Sequence, residues 1–464
     1  MPTSQTCNIL NPGKAEVIGV GRSGIAAAKV LHKKGWKVVL SDSNDTPDLR
    51  KQIVQLAKDG IDVQLNKKLC LEEDKRPDLI VVSPGVPWDI PVLEEYREKN
   101  IQVIGEIELA YRYLSSVPWI GITGTNGKTT TTALIETIFR SAGLHAPACG
   151  NIGYAACELI LEDSHPLDWV IAEISSYQIE SSFELSPEIG VWTTFSPDHL
   201  NRHKTLDNYF QIKTKLLERS KYKIFNGDDF YLSKIKQTDI CWVSTKKTIA
   251  NNSDVYLEEN WIKAFGEPIM PINLFKMQGN HNLQNLLMAI AVARLANIDK
   301  TSIVNAITNF KGVAHRLEKI CTIEGVDYIN DSKATNYDAA EVGLRAVSSP
   351  VILIAGGQAK EGDDRAWLEI IKEKAAVVLL IGEATDLFAE RFKINGYLNY
   401  EKVGHMEVAL ERAYELSQSH KPFAVLLSPA CASFDQYKSF EERGDDFRRL
   451  SQKLAASNDI LKSS

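Results

Sequence analysis

The sequence predicts an α/β protein in which parallel sheets are covered by helices. Three observations carry this. At 464 residues the chain is too long for one typical domain and suits two or three. Short apolar runs alternate with helix-patterned segments along its length, the order that builds βα units. Several of those runs end in glycine-rich or polar turns, where open α/β sheets gather their ligands.

In the first stretch, Glu16–Val20 reads as a strand, Ile25–Lys33 as a helix, and Lys37–Leu40 as a second strand ending at Asp42. Ile80–Val82 then runs into the turn Ser83-Pro84-Gly85. The second stretch opens with the strand Trp119–Thr123 and a helix from Thr129 to Gly143. Strands follow at Trp169–Ile174, Val191–Phe195 and Lys223–Asn226, and Leu283, Leu286, Leu287 and Ile290 mark one face of a helix. The third stretch places strands at Asp327–Asn330, Val351–Ala355, Val377–Ile381 and Ala424–Leu427. Boundaries fall near 110 and 313, and residues 245–275 are poorly patterned.

Composition narrows the function. With 44% hydrophobic and 24% charged residues the chain reads as an ordinary globular protein. A net charge of -7 argues against a general binder of nucleic acid or anionic membrane, which would carry a basic excess. Seven scattered cysteines without a CxxC pair suit buried thiols better than disulfides or zinc. Met1–Leu10 is polar, and no run reaches the roughly 18 apolar residues of a membrane span. The expected location is the cytoplasm.

The strongest chemical signal is Gly121-Ile-Thr-Gly-Thr-Asn-Gly-Lys-Thr-Thr130, between an apolar strand and a helix. Closely spaced glycines let backbone amides turn towards phosphate oxygens, and the helix N-terminus adds a favourable dipole. Lys128 would reach the outer phosphates and the Thr129 hydroxyl a magnesium ion. Ile122 stands where the strict motif has its first glycine, yet the whole arrangement reads as an ATP loop. The earlier Gly19-Val-Gly21-Arg-Ser-Gly24 with Asp42 has the dinucleotide-binding spacing, which also serves tight helix–strand packing. By itself it would suit a nicotinamide enzyme. The ATP loop by itself would suit a nucleotide switch.

Acids and cations then collect at strand ends. Glu173 ends one strand of the second stretch and Asp198-His199 follows the next. In the third stretch Asp331-Ser-Lys333-Ala-Thr335-Asn336, Gly356-Gly357-Gln-Ala-Lys360 and Ser428-Pro-Ala-Cys-Ala-Ser433-Phe434 each follow a strand, with Arg316 just ahead of the first. Magnesium takes hard oxygen ligands, and converging lysines and arginines would give an acidic protein a local anion site.

Taken in order, Gly124-Thr-Asn-Gly-Lys-Thr-Thr130, Glu173-Ile-Ser-Ser-Tyr-Gln178, Asp198-His199, His281-Asn282, His315-Arg316 and Asp331-Ser-Lys333 resemble the Mur ligase family over nearly the whole chain. Asp331–Asn336 and the long segment Ser428–Gly444 resemble its D-glutamate-adding branch, and the DNPR signature of sister branches is absent. A related folate polyglutamylase is the nearest alternative.

The resemblance implies three domains: a Rossmann-like N-terminal domain over 1–110 for the UDP end of the substrate, a central P-loop ATPase-like parallel-sheet domain over 111–312, and a mobile Rossmann-like C-terminal domain over 313–464 that brings the amino acid. It implies ATP-dependent ligation of D-glutamate to UDP-N-acetylmuramoyl-L-alanine, with two magnesium ions. These small molecules would be the partners of a monomer that engages neither nucleic acid nor membrane.

Ser23, Asp42, Gly85 and Asn151 would line the UDP substrate, with Ser175 and Gln178 nearer its muramoyl part. Gly124, Thr125, Asn126, Gly127, Lys128, Thr129 and Thr130, with Asn282, Asn285, Arg316 and Asp331, would hold ATP. Thr129, Glu173, His199 and a carbamylated Lys213 match magnesium-site positions. Lys333, Lys360, Thr335, Ser433, Phe434 and Phe440 match the D-glutamate pocket. Arg22 and Asn44 depart from the residue types expected at the uridine end, and Phe434 stands where leucine is common. The catalytic set is Lys128, Glu173, His199, Lys213, Lys333 and Lys360.

Overall fold

The computed structural model describes residues 11–45, 47–67, 76–162, 165–236, 239–246, 253–277, 279–359 and 364–463. Met1–Leu10 and Lys360 therefore lie outside the described residues. The chain divides into two compact units, Met1–Lys276 with Asn282–Phe310, and Met277–His281 with Lys311–Ser464. The first unit holds two sheets and the second holds one.

The N-terminal sheet has five parallel strands in the order Asp62–Gln64, Lys37–Ser41, Lys14–Ile18, Leu79–Val82 and Gln102–Gly105. Val17 pairs with Leu40 on one side and Val81 on the other, and all three are buried. The chain reverses direction across the sheet between Lys14–Ile18 and Leu79–Val82. Loops leaving two such neighbours diverge and open a crevice at the carboxyl ends.

Among the described residues the central sheet has nine strands. The phosphate-loop strand Trp119–Thr123 lies between Val170–Glu173 and Ile189–Trp192, parallel to both. The last of these begins earlier than its apolar run suggests. Thr193 and Thr194 leave the strand and turn their hydroxyls to the Asn126 carbonyl, at 2.5 and 3.1 Å. The poorly patterned segment forms the strands Val255–Glu258, Trp261–Ala264 and Glu267–Pro271, an antiparallel meander at the sheet edge.

Helix Asn280–Leu295 corrects the expectation of one apolar face. Every residue from Asn285 to Ala293 is buried, while Leu283 is only partly so. The helix is wrapped on all sides, and a helix wrapped all round needs no polar stripe.

In the C-terminal sheet the hairpin Glu318–Ile323 and Val326–Asn330 is antiparallel, and Ala424–Leu427, Val351–Gly356, Ala375–Ile381 and Tyr400–Gly404 follow in parallel. Val326–Asn330, Ala424–Leu427 and Val351–Gly356 are neighbours. The three motif-bearing loops that follow them therefore leave one sheet edge side by side.

No helix among the described residues is long and apolar enough to cross a membrane. Cys149, Cys157 and Cys431 are buried as free thiols.

Candidate active site

The crevice predicted by the N-terminal strand order is a cleft of about 730 Å³. It brings together Ser23, Asp42, Gly85, Asn151 and Gln178 from two different sheets of the first unit. Asp42 is fixed there because its carboxylate accepts the amides of Val20 and Asn44, both at 2.8 Å. Arg22 also lines the cleft, but its guanidinium is turned to Glu158 and to the Gly153 carbonyl. Ser175 does not line the cleft; it caps the helix Ser176–Glu180 in a reciprocal pair with Gln178.

Two glycines of the phosphate loop are sterically required. A Cβ on Gly124 would stand 2.0 Å from Thr193 Oγ1, and a Cβ on Gly127, at φ +84°, would stand 2.5 Å from Asn285 Oδ1. Asn285, which also accepts the Thr131 hydroxyl at 3.3 Å, packs the long helix against the loop. The amides of Thr125 and Asn126 are tied to Thr194 at 2.8 and 2.9 Å, so these two do not turn inward as the glycine spacing suggests. The backbone amides of Lys128, Thr129 and Thr130 lie in the first turn of helix Lys128–Ser141, where an α-helix offers no intrahelical acceptor and an anion can be received. Lys128 Nζ folds over the loop, donating to the carbonyls of Gly124 and Thr125 at 2.8 and 2.9 Å.

Lys213 shares the Gly124 carbonyl, at 2.9 Å, and reaches Thr123 Oγ1 at 3.3 Å. It is 1% exposed, in the helix Leu206–Arg219. Burial first, then the neighbouring Lys128 charge, holds its amine well below the ordinary lysine range, against weaker opposition from Asp198 and Glu173.

Glu173 is 1% exposed. Its Oε1 accepts the Asn151 side-chain amide at 2.8 Å, while Oε2 is buried without a hydrogen-bond partner. A bare carboxylate oxygen in the interior is costly unless a cation completes it. Asn151 thus links the cleft to this acid. His199 sits at φ +56°, with Nδ1 3.1 Å from the Tyr177 hydroxyl. Beside it His203 is stacked on Tyr209 and held down to about 4 by burial. Among the described residues no three His, Cys, Asp or Glu side chains form a metal cluster. Asn282 is buried one turn before Asn285.

In the second unit Lys333 Nζ lies 4.9 Å from the Phe440 ring centroid. Asn336 caps helix Tyr337–Ala346, which anchors the loop holding Thr335. Ser433 is buried and Phe434 is 68% exposed. Asp331 is fully buried, accepting the Leu317 amide and the Ser428 hydroxyl; burial pushes it up to about 6, against the nearby Arg316 charge. Arg443, absent from the residues singled out in the sequence, is 1% exposed and joins the loops of Lys333 and Ser433. Its signal in the sequence is its place in the motif Ser428–Gly444.

Comparison with known proteins fits this geometry. Residues 13–105 match the Mur ligase MurD-like N-terminal domain, 122–293 the Mur ligase middle domain, and 315–431 the Mur ligase glutamate ligase domain. The chain is 61% identical over 448 residues to the UDP-N-acetylmuramoylalanine–D-glutamate ligase of Gloeothece citriformis, covering 95% of this chain and 100% of that one. It is 60% identical over 444 residues to the ligase of the same name from Synechocystis, covering 94% and 98%. Among solved structures, the UDP-N-acetylmuramate–alanine ligase of Thermotoga maritima superposes with a TM-score of 0.61 at 18% identity, covering 95% of this chain and 99% of that one. A pseudomurein peptide ligase of Methanothermus fervidus gives 0.58 at 19% identity, covering 95% and 99%.

Proposed function

The chain belongs to the Mur ligase family, and from that premise we infer that it joins D-glutamate to UDP-N-acetylmuramoyl-L-alanine, consuming ATP and releasing ADP and phosphate. The observation that carries this is 61% identity over 95% of the chain to a ligase of that name. The reaction is a step of peptidoglycan precursor synthesis.

A carboxylate is a poor electrophile, since its charge repels an amine and oxide is a bad leaving group. Transfer of the ATP γ-phosphoryl to the alanyl carboxylate gives an acyl phosphate, whose leaving group is phosphate. The amine of D-glutamate then attacks the carbonyl carbon, and the tetrahedral adduct collapses to the amide. Phosphoryl transfer needs positioning and charge neutralisation above all. The first-turn amides of Lys128–Ser141 and the Lys128 ammonium supply both at the outer phosphates. Asn282, Asn285, Arg316 and Asp331 complete the nucleotide site in this reading.

The cleft residues Ser23, Asp42, Gly85, Asn151 and Gln178 hold the UDP substrate, with Ser175 beside them at the cap of the helix that carries Gln178. Lys333, Lys360, Thr335, Ser433, Phe434 and Phe440 hold D-glutamate, whose two carboxylates suit lysines and backbone donors. Thr129, Glu173, His199 and a carbamylated Lys213 would hold magnesium, and the unpartnered Glu173 oxygen supports that fit. Magnesium, when bound, neutralises charge on the phosphates. The functional domains are 1–110, 111–312 and 313–464. The enzyme works as a monomer in the cytoplasm, where ATP and UDP-sugars are made.

The test is phosphate release from ATP with UDP-N-acetylmuramoyl-L-alanine, with and without D-glutamate. Release should need all three substrates. Equal release with L-glutamate, or with a folate in place of the UDP substrate, would overturn the reading.

A further inference from the structure

Arg443 is among the largest fully buried side chains of the protein. Its Nε donates to Ser332 Oγ at 3.0 Å, and Nη2 to the carbonyls of Ser332 and Cys431 at 2.9 and 3.0 Å. Nη1 reaches the Ala432 carbonyl at 3.2 Å. Ser332 in turn donates its hydroxyl to the Phe440 carbonyl at 2.8 Å. One guanidinium thus fixes the residue before Lys333, the two residues before Ser433, and through Ser332 the start of helix Phe440–Ser463.

All four acceptors are neutral oxygens. Among the described residues no carboxylate forms an ion pair with Arg443, and Asp435 acts on it only at longer range, its Oδ2 accepting the Glu383 amide. Burial lowers the guanidinium to about 10, so it remains a cation at neutral pH. A buried charge is normally paired, because leaving water is costly. Carbonyl dipoles offset part of that cost, and the remaining positive potential acts on whatever enters beside these loops.

We propose that Arg443 is a positioning residue of the amino-acid pocket: its fork holds the loops of Lys333 and Ser433 in register, and its unpaired charge favours a dicarboxylic amino acid over a neutral one. This rests on the reading of D-glutamate as the substrate. It also separates two contributions, since a lysine would keep the charge and lose most of the fork.

Steady-state kinetics of wild type, Arg443→Met and Arg443→Lys with D-glutamate and D-glutamine test this. In Arg443→Met the KM for D-glutamate should rise about a hundredfold, and the preference in kcat/KM for D-glutamate over D-glutamine should fall about tenfold. The KM values for ATP and the UDP substrate should change by less than about twofold. Arg443→Lys should raise the D-glutamate KM about tenfold yet keep the preference. Equal losses for both amino acids in Arg443→Met, or KM values rising in step for all three substrates, would overturn the proposal. Should Arg443→Met not fold, Arg443→Lys decides, and an unchanged D-glutamate KM there would overturn it. A wild type inert towards D-glutamate would overturn the substrate reading, and this inference with it.

Discussion

The Nζ of Lys213 donates to the carbonyl oxygen of Gly124 at 2.9 Å, at the turn where the phosphate loop begins. Burial there, and then the charge of neighbouring Lys128, holds its amine well below the ordinary lysine range. A neutral amine keeps its lone pair and can add carbon dioxide, and the carbamate so formed offers oxygen to a hard cation. Lys213→Ala should lose nearly all turnover, and acetate should restore part of it. Carbon-13 NMR of wild type in labelled bicarbonate should give a carbamate resonance that the variant lacks. A variant of full activity would refute the role.

Lys128→Ala should lower kcat by a factor on the order of a thousand, because it removes the cation that stabilises charge on the outer phosphates. Phosphate release measures this, with circular dichroism confirming the fold. Turnover within about twofold of wild type would mean that the loop binds no triphosphate.

Glu173→Gln should weaken metal binding at least about tenfold, as a neutral amide replaces a buried carboxylate whose second oxygen has no hydrogen-bond partner. Titration with manganese followed by electron paramagnetic resonance reads this without turnover. Unchanged affinity would remove Glu173 from the metal site.

Glu106, at the start of helix Glu106–Tyr113, accepts the Cys157 amide at 2.6 Å and leaves its other oxygen without a partner. Burial pushes its carboxyl up from 4.5 to about 7. Between those pH values the unfolded chain releases a proton that the folded chain keeps, so rising pH favours unfolding. The stability this group contributes is full below pH 4.5 and lost by about pH 7, amounting to about 3 kcal/mol. Urea denaturation of wild type and Glu106→Gln at both ends of that window should show the difference narrowing to one side only. Parallel curves would rule the group out.

The parallel architecture, the phosphate loop and the grouping of motifs at strand ends were legible in the sequence, because apolar periodicity and glycine turns are local signals. Lys128 and Glu173 could be placed from their positions after and within strands, and the run from Leu286 to Ala293 was visibly apolar although its all-round burial was not. Only the tertiary structure decided which strands became neighbours. That choice took the Thr125 and Asn126 amides away from the anion site and gave them to Thr194, and it set Asn285 against Gly127. The same choice left Glu173 with one bare oxygen. It also turned Arg443, ordinary in a charged helix sequence, into a buried cation between two loops. Hydrogen bonds and desolvation at these positions depend on residues distant along the chain, and no local pattern records them.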